Sequence, residues 1–365
     1  MAMDAYAFIG WTGQEISRFE IPWAGDAPSP ETVHLEGPAV DTDKNRYLKA
    51  SRGVAPGDVT GVSVQEGILR VEVVPMTTRV DFTLVVGDQS FSREAFTIHT
   101  RTADERFLRL EEGRVLYRLY QPEAKGPRPL ILFLHGGGNG GYEGERDNNK
   151  HIVTDFGPVN FAENYPDVCV LAPMAVEVRR DMKSFNPNIR FAQSDAMNVP
   201  GYGWSREYLG QVCDIIRRMI AEGTVDGKRV YVTGMSMGGA GTIRAMSVGS
   251  DLFAACLPVC PSMSPETFTI LKSIRRPVWV TSAYIDHTLY RHKYLVDAVM
   301  SLRDSGNQNA HLTLFAPEEL EKYDVAVTPD LPYPRLFGEN HASWIPTYSN
   351  EYGIMSWLLN QTKDD

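Results

Sequence analysis

The first 105 residues alternate between hydrophobic and polar positions with a period of two. In the stretch TRVDFTLVV, apolar side chains stand at positions 80, 82 and 84, with polar side chains between them. This is the pattern of a β-strand with one buried face and one exposed face. ILRVEVVP and EAFTIHT are similar short runs, and APGD and GDQS supply residues typical of turns. Because no helical periodicity competes, the pattern predicts a small β-sandwich over residues 1–105.

A different pattern begins after residue 105, where short runs are apolar at nearly every position. These runs are RVLYRLY, PLILFLH, DVCVLAP, RVYVTG, FAACLPVC, PVWVTSA and HLTLFA. Between the third and the fourth, residues 206–223 carry apolar side chains at the spacing of one helical face. Apolar strands separated by helices indicate a parallel sheet that is covered on both sides. Residues 106–365 are therefore predicted to form a doubly wound, mostly parallel α/β domain.

The stretch GMSMG, residues 234–238, is the candidate nucleophile motif. A β-branched strand precedes it and a helix-compatible segment follows. A serine on so sharp a turn needs small residues on both sides, because larger side chains would collide with the strand and the helix. GxSxG often arises by chance, but this context favours a nucleophile over a glycine-rich turn with an incidental serine. We therefore predict Ser236 as a nucleophile at the carboxyl end of the sheet.

A serine hydroxyl needs a base to take its proton, and the base needs an acid to orient it. In this architecture the chain order is serine, acid, histidine. Asp286 comes just after a predicted strand, and His341 just before the last predicted helix, so we predict them as acid and base. Asp297, Asp324 and Glu339 remain alternatives for the acid. The first falls within a predicted helix and the last is very close to the base.

The glycine run HGGGNGG, residues 135–141, is interpreted as part of an oxyanion hole. It formally fits a dinucleotide fingerprint, but the polar segment YEGERDNNK follows where an apolar helix is required. Backbone N–H groups aimed at developing negative charge are the alternative. We predict Gly137 and Met237 as the two donors, with Gly138 as the adjacent alternative to the first. His135 is expected to organise the loop.

Composition narrows the choice of partners. Hydrophobic residues make up 43% and charged residues 22% of the 365 residues, as in globular proteins. The net charge of −10 disfavours a surface for nucleic acid or anionic lipid. No apolar run approaches the roughly 18 residues of a membrane span. The first residues show no basic and apolar signal pattern. The compartment stays open, and an extracellular or periplasmic location is compatible with a signal that has been removed.

No metal or other cofactor is predicted. The four cysteines form no CxxC pair and have no nearby histidine pattern, so free thiols are favoured over a zinc site or a disulfide. His287 and His292 are five residues apart and share neither a helical face nor a strand face.

With these residues in place, the sequence resembles the α/β-hydrolase superfamily. Within it, the chain is similar to bacterial esterases of the "predicted peptidase" and polyester-depolymerase-like group. PLILFLHGGGNGG, DGKRVYVTGMSMGG, PVWVTSAYID and NHASWIPTY carry the resemblance over about 250 residues. It implies that the N-terminal sandwich is an immunoglobulin-like domain, which in some of these esterases is associated with assembly and activity. One departure is that Ser282 and Ala283 stand where such enzymes often carry His-Gly before the acid.

The expected activity is that of a serine carboxylesterase acting on a small-molecule ester through an acyl-enzyme. Aromatic residues in predicted loops are compatible with an aryl or cinnamoyl pocket, although such residues often serve only as packing anchors. They are Phe185, Phe191, Tyr202, Trp204, Tyr290 and Trp344. A serine peptidase with the same triad is one alternative. A binding protein with an inactive hydrolase domain is another. The N-terminal domain is a candidate surface for a homo-oligomer.

Overall fold

Eighteen strands and eight α-helices lie in the part of the chain that the computed structural model describes. That part comprises residues 3–10, 13–37, 56–77, 81–100, 106–137, 141–142, 157–177, 203–284, 286, 291–322 and 341–363. The chain divides into two compact units, Met1–Thr102 with Thr154–Phe156, and Ala103–Val153 with Gly157–Asp365. The predicted domain boundary after residue 105 lies close to this division.

The N-terminal unit is built from strands in its described residues. They are β1 (Met3–Gly10), β2 (Gly13–Pro22), β3 (Val33–Glu36), β4 (Val59–Gln65), β5 (Ile68–Thr77), β6 (Thr83–Val86), β7 (Gln89–Ser92) and β8 (Phe96–Thr100). One sheet has the order β4-β5-β2-β1-β8, and a second has the order β3-β6-β7. Phe19 and Val71 of the first sheet share a core with Leu35 and Leu84 of the second. The predicted all-β N-terminal domain is confirmed, whereas its immunoglobulin-like classification stays a prediction.

Strand β6 follows the alternation that the sequence shows. Phe82, Leu84 and Val86 are buried, while Thr83 between them is partly exposed. The strand itself begins only at Thr83. Strands β1 and β2 were not predicted, and they form an antiparallel pair at the start of the chain.

The second unit contains the remaining strands. They are β9 (Leu108–Glu112), β10 (Val115–Tyr120), β11 (Arg128–Leu134), β12 (Gly141–Tyr142), β13 (Cys169–Pro173), β14 (Val176–Glu177), β15 (Val225–Met235), β16 (Ala255–Val259), β17 (Val278–Ala283) and β18 (Ala310–Phe315). Its described helices are α1 (Pro158–Asn164), α2 (Arg206–Ala221), α3 (Met237–Val248), α4 (Pro265–Ser273), α5 (Arg291–Asp304), α6 (Pro317–Glu321), α7 (Trp344–Tyr348) and α8 (Ile354–Leu359). The strands predicted from the apolar runs are all present.

The main sheet has the order β18-β17-β16-β15-β11-β13-β10-β9 among the described strands. The first six of these are parallel, and only β10 and β9 run antiparallel to their neighbours. The predicted doubly wound, mostly parallel sheet is therefore confirmed. Because parallel strands end at the same edge, the loops after β11, β15, β16 and β17 emerge together.

Helices cover both faces of this sheet. Leu132 of β11 lies in one core with Leu209 of α2. Its neighbour Phe133 points to the other face, where its ring packs against Phe161 of α1 and Tyr348 of α7. Helix α2, the helix predicted from residues 206–223, begins after an N-cap serine whose side chain accepts a hydrogen bond from the third residue of the helix.

All four cysteines are buried free thiols. Burial raises the pKa of Cys169 to about 11 and that of Cys213 to about 12. Burial also raises the pKa of Cys256 far above its usual range. These three thiols are therefore protonated and packed as small apolar side chains.

Candidate active site

Ser236 stands on a sharp turn between strand β15 and helix α3. Its backbone angles are φ 56° and ψ −112°, a conformation that residues other than glycine rarely adopt. Two backbone hydrogen bonds hold the turn: Ser236 N–H donates to the Val259 carbonyl at 2.9 Å, and Ser262 N–H donates to the Ser236 carbonyl at 3.0 Å. Strain that is held by surrounding contacts is typical of functional positions. The sharp turn that the motif predicts is present.

The glycines of the motif are required by contact with the end of β11. A Cβ atom on Gly238 would lie 1.8 Å from the Leu134 carbonyl oxygen and 2.7 Å from that of His135. A Cβ atom on Gly234 would lie 2.4 Å from the same Leu134 oxygen. No side chain fits at these distances, so the turn packs backbone against backbone. This contact brings the start of the glycine run next to the candidate nucleophile.

Asp286 and His341 are in direct contact. His341 Nδ1 lies 3.1 Å from Oδ1 and 3.0 Å from Oδ2 of Asp286, and both residues are buried. The Ser282 hydroxyl donates to Asp286 Oδ2 at 3.4 Å. Asp286 lies three residues after β17, and His341 three residues before α7. The acid and the base selected from the sequence are thus brought together from 55 residues apart.

The pKa of His341 is raised from its usual value near 6.5 to about 9. Burial alone would lower this pKa, because it disfavours the charged imidazolium. The charge of Asp286, interactions with Cys260 and the hydrogen bond that the imidazole donates to Asp286 outweigh that effect. The carboxylate therefore stabilises a positive charge on the imidazole, which is what an orienting acid does for a catalytic base.

The strand register places Ser236 at the same edge as the acid and the base. Met235 of β15 pairs with Val259 of β16, which pairs with Thr281 of β17. Ser236 thus follows the last residue of a strand two positions away from β17 in the sheet. Neighbouring strands are about 4.8 Å apart, so these strand ends are separated by roughly 10 Å. A histidine that reaches in from the loop before α7 can span this interval.

The alternative acids are Asp297, Asp324 and Glu339. Asp297 lies within α5, as predicted, and is exposed. Asp324 and Glu339 lie outside the described residues, as do Gly138 and His287. The aromatic residues Phe185, Phe191, Tyr202 and Tyr290 also lie outside them.

The candidate oxyanion donors flank the serine. Gly136 is close enough that a Cβ atom on it would lie 3.9 Å from Ser236 Cβ. Gly137 follows, is exposed, and has open space where a side chain would stand. Met237 is the first residue of α3, so its N–H belongs to the free amino end of a helix. The two predicted donors therefore lie on segments that meet at Ser236.

His135 holds the glycine loop through both ring nitrogens, in keeping with the expectation that it organises this loop. The Ala175 N–H donates to His135 Nε2 at 3.1 Å. That nitrogen must then be unprotonated, so Nδ1 carries the proton and donates to the Gly136 carbonyl at 2.8 Å. In a planar trans peptide the C=O and the next N–H point in opposite directions. The Gly137 N–H is thereby directed away from His135.

Two of the aromatic residues noted in the sequence can be placed. Trp204 is fully buried, donates from Nε1 to the His135 carbonyl at 3.0 Å and packs against the His135 ring. It is a packing anchor beneath the glycine loop, not a pocket-lining residue. Trp344 packs edge-on against His341, with ring centres 5.6 Å apart. Its ring therefore helps to enclose the base.

The described residues contain no group of three or more His, Cys, Asp or Glu side chains arranged to hold a metal ion. None of the helices in the same part of the chain is long and apolar enough to cross a membrane.

Comparisons with known proteins agree with this architecture. Residues 203–315 match the prolyl oligopeptidase family, Peptidase_S9. No curated protein matches the chain. A thermostable esterase of known structure is similar over 99% of this chain and 100% of its own, with a TM-score of 0.66 and 20% identity.

Two further solved structures are more distant. Acylaminoacyl peptidase from Pyrococcus horikoshii aligns with 86% of this chain and 52% of its own, at 14% identity and a TM-score of 0.46. Esterase 2 from Thermogutta terrifontis aligns with 69% of this chain and 93% of its own, at 15% identity and a TM-score of 0.42.

The second unit has the α/β-hydrolase fold, and part of it matches a family of serine hydrolases. The predicted superfamily and the predicted hydrolase class are confirmed at that level. The narrower resemblance to polyester-depolymerase-like esterases stays a prediction.

Proposed function

We propose that this protein is a serine carboxylesterase that hydrolyses short-chain or aryl esters, including those of the cinnamoyl or feruloyl type, through an acyl-enzyme. The observation that carries the proposal is the buried contact between His341 and Asp286, at the sheet edge where the strained turn presents Ser236. The full-length similarity to a thermostable esterase supports the same class of reaction.

The proposed reaction has two steps. In the first, His341 takes the Ser236 proton, the serine oxygen attacks the ester carbonyl, and the N–H groups of Gly137 and Met237 stabilise the oxyanion. The protonated imidazole then gives its proton to the leaving alcohol. In the second step, His341 removes a proton from water as the water oxygen attacks the acyl carbonyl, and the imidazolium then returns a proton to the Ser236 oxygen as the bond to the acyl group breaks and the acid leaves. Asp286 keeps the imidazole oriented in both steps and stabilises the positive charge of the imidazolium.

The first test is the Ser236→Ala variant on a short p-nitrophenyl ester. We expect turnover to be lost while the circular dichroism spectrum and the melting temperature stay close to those of the unmodified protein. Ser247→Ala is the matched control, because it removes a serine hydroxyl from α3, the helix that follows Ser236, and this hydroxyl bonds only to the Arg244 carbonyl. Retained turnover in Ser236→Ala would exclude this serine as the nucleophile.

A serine peptidase is the second candidate, and the match of residues 203–315 to the prolyl oligopeptidase family favours it. The same triad cleaves amides when the leaving amine is protonated effectively. Turnover on matched p-nitrophenyl ester and p-nitroanilide substrates with the same acyl group separates the two. A ratio of kcat/KM that favours the anilide would replace the esterase proposal by the peptidase one.

A binding protein with an inactive hydrolase domain is the third candidate. A fluorophosphonate probe distinguishes it, because an active-site serine reacts with the probe and an inert serine does not. Mass spectrometry of the labelled peptide would show whether the adduct lies on Ser236. Absence of labelling would favour the binding protein over either enzyme.

The N-terminal unit is proposed to support a homo-oligomer, as its resemblance to the assembly modules of similar esterases implies. Light scattering during size-exclusion chromatography, with and without residues 1–105, tests this role. The same two proteins assayed on a panel of esters would show whether the unit also affects substrate choice.

A further inference from the structure

Helix α7 begins three residues after His341 and is linked to the nucleophile strand by a buried hydroxyl group. Tyr348 Oη lies 2.9 Å from Oγ1 of Thr233, which stands on β15 three residues before Ser236. The Thr233 hydroxyl donates its proton to the Leu257 carbonyl at 2.7 Å. A hydroxyl has only one proton to donate, so Tyr348 must donate to Thr233. The bond therefore has a fixed direction.

A second buried hydroxyl links the same helix to the strand of the acid. Thr347 Oγ1 lies 2.8 Å from Oγ1 of Thr281, which stands on β17 five residues before Asp286. Thr347 donates to the Ser343 carbonyl at 2.7 Å, so Thr281 must donate to Thr347. The hydroxyl-bearing residues of both links are at most 1% exposed. Water does not compete for these bonds, and a low local dielectric strengthens them.

The helix has little stability of its own. It contains five residues, and a helix of one turn forms in water only when tertiary contacts hold it. The Tyr348 ring packs edge-on against Phe161, with centres 4.9 Å apart, and against Phe133, with centres 6.2 Å apart. These ring contacts fix the distance of the helix from the sheet. The two hydroxyl bonds fix its position along the strands.

We propose that Tyr348 and Thr347 are positioning residues for the base: by tying α7 to β15 and β17, they set the place of His341 relative to both the nucleophile and the acid. This inference rests on the proposed triad. A shift of the base by about 1 Å can lower a rate by about 10²-fold, because proton transfer requires hydrogen-bond distance. Substrate binding does not depend on that distance. The hydroxyls are therefore expected to act on kcat and not on KM.

The test compares hydroxyl deletions that keep the shape of the side chain. Tyr348→Phe keeps the ring contacts, and Thr347→Val keeps the volume. We expect each to lower kcat on a p-nitrophenyl ester about tenfold or more, with KM unchanged. Thr347→Ser retains a hydroxyl and should keep most of kcat. A merely structural role would not produce this split between kcat and KM, or the recovery with serine.

Matched controls remove equivalent buried hydroxyl groups elsewhere in the second unit. Tyr231 is a buried tyrosine on β15, and its hydroxyl lies 2.9 Å from the Leu359 carbonyl oxygen and 2.8 Å from that of Gln361. Thr242 is a buried helical threonine whose hydroxyl bonds only to the Gly238 carbonyl in its own helix. Tyr231→Phe and Thr242→Val should lower the melting temperature as the test variants do, yet leave kcat within about twofold of the unmodified protein.

The rate of fluorophosphonate labelling separates this inference from the proposed function. If the unmodified protein is not labelled on Ser236, the proposed function itself fails. If it is labelled, and Tyr348→Phe is labelled as fast as Tyr231→Phe, only the positioning role is overturned. Should Tyr348→Phe not fold, the pair Thr347→Val and Thr347→Ser decides: equal kcat values in these two folded variants would also overturn it.

Discussion

His341 Nδ1 lies 3.0 Å from Oδ2 of Asp286, and the two side chains are almost completely enclosed by protein. The charge of this carboxylate is the largest of the contributions that raise the pKa of the imidazole to about 9 against the opposing effect of burial. It thereby determines the pH range in which the imidazole can act as a base. Two of the predictions below follow from this contact.

The first prediction concerns pH. The neutral imidazole of His341 is the base, so kcat/KM should rise with pH, with a midpoint above the usual histidine value of about 6.5. The contact between His341 and Asp286 should stabilise the folded protein most at low pH. Because the pKa of His341 is raised in the folded state, the contribution of this contact to the free energy of unfolding is fully present below about pH 6.5 and is lost as the pH approaches 9. Initial rates and denaturant unfolding between pH 5 and 10 check both trends, and a midpoint below 6 would contradict the assignment.

The second prediction concerns the acid. Asp286→Asn removes the negative charge, so kcat should fall by about 10⁴-fold and the rise of kcat/KM should move to lower pH. Asp297→Asn is the control, since Asp297 is an exposed residue of α5 and was the alternative acid within the described residues. If kcat fell as much in Asp297→Asn as in Asp286→Asn, Asp297 and not Asp286 would be the acid that orients the base.

The third prediction concerns the nucleophile turn. Gly238→Ala places a Cβ atom 1.8 Å from the Leu134 carbonyl oxygen, so backbone must move, and unfolding should become easier by about 3 kcal/mol. Gly210→Ala is the matched control within helix α2, where the added Cβ meets nothing within 4 Å. That change should stabilise the protein by up to about 1 kcal/mol. Urea unfolding measures both, and similar free energies for the two variants would show that the close packing is not present.

The fourth prediction concerns the glycine loop. His135→Phe keeps a ring against Trp204 but removes the bonds to the Gly136 carbonyl and the Ala175 N–H. The Gly137 N–H loses its fixed direction, so kcat should fall by about 10²-fold, near the lower end of the cost of losing an oxyanion donor.

His311→Phe is the control for this change. The His311 ring is half-buried on β18, packs against two tryptophan rings and lies far along the sheet from the glycine loop. The kcat of His311→Phe should stay within about twofold of that of the unmodified protein. If His135→Phe behaved in the same way, the loop would not depend on the histidine.

The sequence predicted those parts of the site that have local causes. Ser236 could be recognised because its turn tolerates only glycine at 234 and 238, and this requirement appears within five residues. Asp286 and His341 could be selected because a parallel sheet gathers its strand-end loops at one edge. Their contact, across 55 residues, follows from the order of the strands.

Other features had no local signal. Ala175 and Trp204 bond to His135 from 40 and 69 residues away, and neither stands in a motif. Helix α7 has no signal in the sequence, because five residues with a proline among them show no helical period. The hairpin of β1 and β2 was missed because its buried positions include Ala5 and Ala7, which contrast weakly with polar neighbours.

The burial of all four cysteines gives the protein an internal reporter. Since no disulfide joins them, neither folding nor assay should be affected by dithiothreitol. A chromogenic thiol reagent should find almost nothing to react with while the chain is native. Colour would then develop only as fast as the protein unfolds and exposes its thiols. A spectrophotometer could therefore follow the unfolding rate without any label, cofactor or substrate.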